Sequence, residues 1–278
     1  MPYLLLLVVV TAVWGTTFVV VKEAISHYPT LPFLAIRFAL ATLALVIAIR
    51  RPPPLTVLKV GAPIGLALAA GYLFQTVGLQ FTTPGNSGLI TGLFVVFTPL
   101  LDGVFGAAIP ARTWFAAGAA LAGTVLLASH GFALPGIGDL LTVGCAIAFA
   151  LHIVLLGRYA PGLPAAPLAL VQMATATVVF GAGSLPAGLP RPPLDVWGAL
   201  VLTGILASAV AFYIQTWAQR HLTPSRTALI LATEPAWALL AAVALAGQRL
   251  GWAQAAGAAL VLLAILGHEA LGLRAKPL

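Results

Sequence analysis

Apolar residues fill this chain in long runs that are separated by short polar breaks. Ten of these runs have roughly 20 residues each, the length that a hydrocarbon core of about 30 Å requires of a helix. Most of the breaks contain proline or glycine, which is typical of turns between helices. The pattern therefore predicts an all-α polytopic membrane protein with ten transmembrane helices. The predicted spans are 3–21, 32–49, 57–80, 85–108, 112–129, 136–156, 165–185, 194–217, 225–246 and 252–271.

The composition agrees with a surface that faces lipid. Of 278 residues, 61% are hydrophobic and 7% are charged, and the mean hydropathy is +1.09. A soluble chain carries roughly a quarter of charged residues, so this one has too few polar side chains to cover itself in water. The net charge of +7 comes from basic residues scattered between apolar runs, which argues against nucleic acid as a partner. The single cysteine, Cys145, excludes a disulfide framework and any CxxC site.

Lysine and arginine in the predicted loops indicate the orientation, because cytoplasmic loops are enriched in these residues. With the N-terminus in the cytoplasm, nine basic residues fall on the inner side and three on the outer side. We therefore expect a cell (inner) membrane protein with both termini in the cytoplasm. The first span lacks a preceding basic segment, which predicts a retained helix and not a cleaved signal. The inner set is Arg50, Arg51, Lys59, Arg112, Arg158, Arg220, Arg226, Arg274 and Lys276, and the outer set is Lys22, Arg191 and Arg249.

Short motifs recur in the same order in the two halves of the chain. They are Gln75-Thr76 with Gln215-Thr216, Thr83-Pro84 with Thr223-Pro224, AAGAAL at 116–121 with AAGAAL at 255–260, and Thr98-Pro99 with Glu234-Pro235. The first three pairs recur at nearly the same offset, whereas the fourth needs a gap close to one helical turn. The fourth pair predicts a proline break in the fourth helix of each half. Five spans per half force opposite orientations, so the chain is predicted to be an inverted repeat, the architecture of secondary transporters.

Four segments also resemble a known family. TAVWGTTFVVVKEAI, followed by PFLAIRFALATLAL, is similar to the start of an EamA-type member of the drug/metabolite transporter superfamily. QTVGLQFTTPGNSGLITGLFVVFTPLLDGVFG resembles the third and fourth helices of its first half, and TPSRTALILATEPAWALLAAVALAGQRLGWAQAAGAALVLLAILG resembles its last two helices. The resemblance implies two five-helix repeats, here 1–131 and 132–278, with cytoplasmic termini and a central substrate cavity. Many members export metabolites, amino acids or drugs. The family usually has Gly-Glu where this chain has Gly247-Gln248.

Glu234 is the strongest candidate for the chemistry. It lies near the middle of the predicted span 225–246, where a charge costs about 2.5–3.5 kcal/mol unless it faces water or a partner. Such a carboxylate can exchange a proton or bind the amine of a substrate. The alternative is structural: the carboxyl group forms a hydrogen bond with another helix or with backbone freed by Pro235, and the proline lets the helix flex.

Polar and aromatic side chains on other spans predict the rest of a substrate site. Gln75 and Gln215 lie on equivalent polar faces of the two halves, and amides in lipid rarely go unpaired. Two such faces are what a pseudo-symmetric cavity would show. The predicted substrate-binding residues are Trp14, Thr17, Tyr72, Gln75, Thr91, Phe149, His152, Tyr213, Gln215, Glu234 and Trp237.

Several of these positions also have a structural explanation. Trp14 and Thr17 fit helix packing as well as cavity lining. His152 fits a satisfied interhelical hydrogen bond as well as a proton relay. Arg37, about one and a half turns into the second span, either snorkels to the outer surface or pairs with a carboxylate. Asp102 fits an interfacial or salt-bridged role as well as a role in transport.

The motifs that the sequence lacks narrow the function class. The chain has no GxxxxGK[ST] motif for a nucleotide and no HExxH motif for a metal, and we expect no cofactor. A secondary transporter is therefore predicted, driven by an ion gradient such as that of protons, by exchange or by the substrate's own gradient, with an intramembrane enzyme, a channel and a sensor as the alternatives. The expected partners are a small-molecule substrate and the bilayer. A monomer and a homodimer both remain open.

The candidate residues favour export of a small organic solute. Aromatic rings with amides and one carboxylate suit a zwitterionic or aromatic solute such as an amino acid. A cationic amphiphile of the drug type is the alternative, and import of a metabolite is a further one. A polyanion is disfavoured, because few basic residues lie inside the spans.

Overall fold

The computed structural model describes residues 2–127, 136–186, 188–246 and 251–274, and every regular element in these ranges is helical. The prediction of an all-helical chain is confirmed for these residues. The Gly247-Gln248 pair lies outside the described residues. The helices are α1 (Pro2–His27), α2 (Thr30–Ile49), α3 (Leu55–Phe81), α4 (Pro84–Thr91), α5 (Phe94–Val104), α6 (Ala111–Leu127), α7 (Ile137–Tyr159), α8 (Ala165–Ser184), α9 (Leu194–Val201), α10 (Ala211–Ala218), α11 (Pro224–Leu231), α12 (Glu234–Ala246) and α13 (Trp252–Arg274), and a π-helical segment (Leu202–Val210) joins α9 to α10.

Proline explains where several helices begin. Pro54, Pro164 and Pro193 each immediately precede a helix in extended backbone, which proline favours and from which no helical hydrogen bond is lost. Thr223 precedes α11, and its side chain accepts a hydrogen bond from the Arg226 amide while Pro224 opens the helix. The short breaks of the sequence therefore become sharp turns between long apolar helices.

Seven helices among the described residues are long and apolar enough to cross a bilayer. They are Pro2–His27, Thr30–Ile49, Leu55–Phe81, Ser87–Val104, Ile137–Tyr159, Ala165–Ser184 and Leu194–Ala218. These helices agree with the predicted polytopic membrane protein. The predicted spans 112–129, 225–246 and 252–271 are not among the seven, so the total of ten and the inverted repeat stay predictions.

Two of the predicted spans are each divided into two helices. Span 85–108 is interrupted at Gly92 and Leu93, and span 225–246 at Ala232 and Thr233. The prediction that Pro99 makes the first break is wrong, because Pro99 lies inside α5. Around Gly92 the helix instead changes to tighter bonds, such as Val95 N–H to the Gly92 carbonyl at 3.1 Å.

The two breaks occupy equivalent positions and contact each other. The start of α11 follows the start of α4 by the same interval as the start of α12 follows the start of α5. Glu234 therefore corresponds to Phe94 and not to Thr98, which corrects the predicted pairing of Thr98-Pro99 with Glu234-Pro235. A Cβ on Gly92 would lie 3.3 Å from Pro235 Cγ, so the absence of a side chain at Gly92 lets the two breaks pack together.

Glycines allow the helices of the core to approach closely. α1 packs on α12 at Gly15, where a Cβ would lie 2.7 Å from the Ala238 backbone nitrogen. α3 packs on α7 at Gly78, and α6 packs on α13 at Gly123, with similarly short distances to backbone oxygens. Close backbone approach gains the dispersion contacts that hold helices together in lipid. The packing places α1, α3, α7 and α10 around one central cavity.

Candidate functional site

A cavity lies among α1, α2, α3, α5, α7, α10, α11 and α12, and the space between protein atoms there is about 600 Å³ with the open solvent at its mouth included. Its walls combine aromatic rings, amides, hydroxyls, one carboxylate and one guanidinium. The lining residues are Trp14, Thr17, Phe18, Val21, Arg37, Tyr72, Gln75, Thr76, Leu79, Phe94, Phe149, His152, Ile153, Phe212, Gln215, Leu231 and Glu234.

The structure brings most of the predicted site residues to this cavity. Thr91 lies just behind the wall, where it is buried and accepts a hydrogen bond from Gln75 Nε2 at 3.4 Å. Periodicity and intramembrane polarity were therefore sufficient signals for these positions. The predicted residues that line the cavity are Trp14, Thr17, Tyr72, Gln75, Phe149, His152, Gln215 and Glu234.

Tyr213 and Trp237 were also predicted to bind substrate, and the structure does not bring either of them to the cavity. Tyr213 is 41% exposed, because its neighbour Phe212 faces inward and adjacent helical positions point in different directions. Trp237 lines a separate apolar cavity between α1, α12 and α13. The close packing of α1 explains why Trp237 is kept away from the central cavity. A Cβ on Gly15 would lie 2.9 Å from Trp237 Cβ, so α1 lies directly against α12 at Trp237.

Glu234 is the first residue of α12, directly after the helix break. It is 6% exposed and lines the cavity. Among the described residues, no group donates a hydrogen bond to its carboxylate, and none of their ion pairs includes it. The break itself is fixed from α1, because the Thr11 and Thr233 hydroxyls are 2.8 Å apart. Glu234 thus presents to the cavity a carboxylate that can bind a cation or a proton.

Arg37 contributes a guanidinium to the same cavity. Both predictions for it are wrong within the described residues: it is 2% exposed, and it forms no ion pair with a carboxylate. Its Nε donates to Ser208 Oγ at 3.0 Å, and its Nη2 donates to the Tyr72 hydroxyl at 3.1 Å. The available signal was an arginine inside an apolar span, which marks a functional site by default.

The paired glutamines make different contacts in the two halves. Gln75 donates to Thr91, as described above, whereas Gln215 Nε2 donates to Gln219 Oε1 at 3.0 Å. Gln219 in turn donates to the Ile153 carbonyl at 2.8 Å. The Oε1 atom of Gln215 is buried without a hydrogen-bond partner among the described residues. Gln215 therefore offers an acceptor beside the cavity.

His152 makes the interhelical hydrogen bond that was one of its two interpretations. Its Nε2 lies 2.8 Å from Gln172 Oε1, and Gln172 Nε2 donates to Thr216 Oγ1 at 3.2 Å. The imidazole packs edge-on against Phe212, with ring centroids 5.8 Å apart. His152 also lines the cavity. Its hydrogen bond with Gln172, and that of Gln172 with Thr216, join α7, α8 and α10 behind the cavity wall.

Aromatic rings form much of the cavity wall. Trp14 Nε1 donates to the Ala207 carbonyl of the π-helical segment at 2.8 Å, and its ring centroid lies 5.1 Å from that of Phe212. Tyr72 packs edge-on against both Phe149 and Phe212. These contacts fix the rings, so the wall presents a rigid surface to an apolar group.

Asp102 lies outside the cavity and forms an ion pair. Its Oδ1 is 2.8 Å from Arg158 Nη2, and Arg158 also donates to the Asp102 carbonyl. The salt-bridged interpretation of Asp102 therefore agrees with the structure. Within the described ranges, no three His, Cys, Asp or Glu side chains cluster as metal ligands would.

Comparison with known proteins relates the whole chain to one family. Residues 1–129 and 136–268 match a model described as the EamA-like transporter family. An "uncharacterized transporter" of Archaeoglobus fulgidus is 32% identical over 264 residues, which cover 94% of this chain and 83% of that protein. An "uncharacterized inner membrane transporter YedA" of Escherichia coli is 27% identical over 250 residues, which cover 86% of this chain and 81% of that protein.

Two further comparisons remain. One concerns a part of the sequence, and the other concerns the fold of nearly the whole chain. A "probable terminal-alkyne amino-acid exporter" of Streptantibioticus cattleyicolor is 27% identical over 101 residues, which cover 36% of this chain and 34% of that protein. A solved structure described as the crystal structure of a protein aligns with 98% of this chain and 98% of its own length. Its TM-score is 0.81 at 20% identity, so the helical arrangement described above is shared with a known fold.

Proposed function

The chain belongs to the EamA-like transporter family, and on that premise we propose that it is a secondary active transporter that exports small organic metabolites by alternating access. The family and the relatives are transporters and not enzymes, so the protein is a multi-pass membrane transporter. The observation that carries the proposal is the Glu234 carboxylate, which lines an aromatic cavity without a donor among the described residues.

The cavity favours amino-acid-like or aromatic solutes. The Glu234 carboxylate would accept charge-assisted hydrogen bonds from a protonated amine, and the rings of Trp14, Tyr72, Phe149 and Phe212 would pack on an apolar or aromatic side group. The partial similarity to a probable amino-acid exporter supports the same class of solute.

A cationic amphiphile is the second candidate substrate. The specific observation in its favour is again the Glu234 carboxylate, which has no ion-pair partner among the described residues and lines a cavity with rings whose faces attract cations. Such a solute has no carboxylate, whereas an amino acid has one, and this difference separates the two candidates experimentally. A metabolite importer would differ from this proposal only in the direction in which the solute crosses the membrane.

Energy for transport is proposed to come from proton coupling or from exchange. The sequence has no nucleotide-binding motif. Glu234 is positioned to bind either a proton or a protonated amine, because it lines the cavity and makes no ion pair among the described residues. Competition between the proton and the substrate for one carboxylate would link their movements.

The architecture that we propose is two inverted five-helix repeats, 1–131 and 132–278, with both termini in the cytoplasm. The recurrence of helix starts, such as Pro84 with Pro224, supports it, and so does the match of one family model to each half. The three further spans 112–129, 225–246 and 252–271 complete the count. Alternating access would then move one repeat against the other around the central cavity.

Cysteine labelling tests this topology. With Cys145 replaced by alanine, single cysteines at Pro161 and Pro190, both exposed between helices, should react with an impermeant maleimide from opposite sides of the membrane. The expectation follows because α8 (Ala165–Ser184) separates the two positions and is long enough to cross the bilayer. Labelling of both positions from the same side would contradict the span assignment and the inverted repeat.

A ligand screen on the purified protein tests the proposed substrate class. Aromatic amino acids are expected to raise the melting temperature in detergent, since a ligand that binds only the folded state stabilises it. Amines without a carboxylate and sugar phosphates are the comparison classes. A shift with sugar phosphates alone would contradict the proposal, and a shift with hydrophobic amines alone would favour the cationic amphiphile.

A further inference from the structure

We propose, on the basis of the transport function proposed above, that Arg37 binds the carboxylate of the transported solute. The substrate would then be amphoteric, with its ammonium group at Glu234 and its carboxylate at Arg37. The juxtaposition that leads to this assignment is one cavity lined by both a guanidinium and a carboxylate that are not paired with each other among the described ion pairs.

The guanidinium retains donors for a ligand. Its Nε and Nη2 atoms donate to Ser208 and Tyr72, whereas Nη1 donates to no group among the described residues. The guanidinium carbon lies 4.5 Å from the centroid of the Tyr72 ring, so the plane of the group is held on that side. A planar fork fixed in this way presents its remaining N–H groups in the geometry that a carboxylate binds.

Both partners that hold Arg37 are neutral. Ser208 belongs to the π-helical segment, and this segment packs closely on α2, since a Cβ on Gly204 would lie 2.9 Å from the Arg37 carbonyl oxygen. Hydroxyl groups orient a guanidinium but leave its charge uncompensated. A buried cation without an anionic partner is costly, and a bound carboxylate would supply the missing charge.

Arg37 and Glu234 also come from different halves of the chain. Arg37 is on α2 and Glu234 begins α12. A solute that contacts both would join the two halves, whereas a solute with a single charge would contact one of them. Binding of an amphoteric solute would therefore favour closure of the cavity around it, which is the step that alternating access requires.

The experiment compares two solutes that differ by one carboxylate, phenylalanine and phenethylamine, in proteoliposomes. Arg37→Gln is expected to raise the KM for phenylalanine by about ten- to a hundredfold, the range of a charge-assisted hydrogen bond. The KM for phenethylamine should stay unchanged, because this amine has no group for Arg37 to bind. Arg37→Lys keeps the charge without the fork and should give an intermediate KM for phenylalanine only.

Two further variants separate binding from folding. Thr42→Val, on the same helix, removes a hydroxyl pair with Thr177 outside the cavity and should leave both solutes unaffected. Ser208→Ala removes the hydrogen bond that holds Arg37 Nε and should raise the KM for phenylalanine alone. If Arg37→Gln does not fold, Arg37→Lys and Ser208→Ala decide the question by the same comparison.

The outcomes distinguish the role of Arg37 from the function itself. An equal loss for both solutes in these variants, or no change for either, would overturn the assignment and leave Arg37 as a structural residue. Wild-type transport of phenethylamine without phenylalanine would also overturn it, although the protein would remain an exporter of organic solutes. Failure of the wild type to bind or move any organic solute would overturn the proposed function and this assignment with it.

Discussion

Glu234→Gln is expected to lower the rate of solute transport by at least about tenfold, since one charge-assisted hydrogen bond to the substrate contributes about 1.5–3 kcal/mol. The substitution keeps the size of the side chain and removes its charge. Glu234 lines the cavity and accepts no hydrogen bond from a described residue, so a glutamine there leaves no protein donor unpaired. The loss should therefore fall on transport and not on stability.

The pH dependence of transport distinguishes the two roles of Glu234. If its carboxylate carries the coupled proton, the wild-type rate varies with pH and the Glu234→Gln rate does not, because an amide side chain does not titrate. If it only binds the substrate amine, the KM rises and the pH profile keeps its shape. Glu23→Gln is the matched control, since Glu23 lies on α1 with its side chain 77% exposed. Equal transport by the wild type and both variants would contradict a role for Glu234.

Gly15→Ala is expected to destabilise the protein by about 1–3 kcal/mol, the range for inserting a methyl group into a well-packed site. A Cβ at Gly15 would lie 2.7 Å from the Ala238 backbone nitrogen and 2.8 Å from the Glu234 carbonyl oxygen. Backbone atoms cannot rotate away, so α1 and α12 would have to separate. The same separation would displace Glu234 from the cavity, and transport should fall along with the melting temperature.

Gly118→Ala is the control for this prediction. Gly118 lies on α6, and a Cβ there would meet nothing within 4 Å. Its melting temperature in detergent and its transport rate should match those of the wild type. A Gly15→Ala protein with wild-type stability and transport would show that the contact between α1 and α12 tolerates expansion, contrary to the packing described here.

The sequence contains a strong signal for the residues that face the cavity. Gln75, Gln215 and Glu234 are polar groups inside apolar runs, and lipid penalises such groups unless they face an interior. The spacing of Gln75 from Tyr72 and of Gln215 from Phe212 then indicates which face of α3 and of α10 lies inward. These inferences need only the period of a helix and the solvent properties of the bilayer, so the sequence alone supports them.

Other features depend on contacts between distant segments. The break at Gly92 packs against Pro235 in the other half of the chain, and no local pattern places it there in preference to Pro99. Trp237 has the spacing of a cavity residue, but α1 covers it because Gly15 has no side chain. Arg37 lies beside Ser208 only because α2 packs on the π-helical segment. Pairings of this kind are set by tertiary structure and not by periodicity.

The helix break before Glu234 connects these observations to transport. It places the carboxylate at the beginning of α12, and the Thr11–Thr233 contact holds that beginning against α1. The Gly92–Pro235 contact joins the same point to the equivalent break in the other half. Movement of one half against the other would therefore be transmitted to the carboxylate that we propose binds the solute or the proton.

Efflux from proteoliposomes tests the central claim most directly. Vesicles loaded with a radiolabelled aromatic amino acid, chosen from the thermal-shift screen, would contain the wild-type protein, the Glu234→Gln variant or no protein. Saturable efflux from the wild-type vesicles, with the variant close to the protein-free rate, is the predicted result. Equal efflux from all three preparations, or from the wild type and the variant, would contradict transport through this cavity.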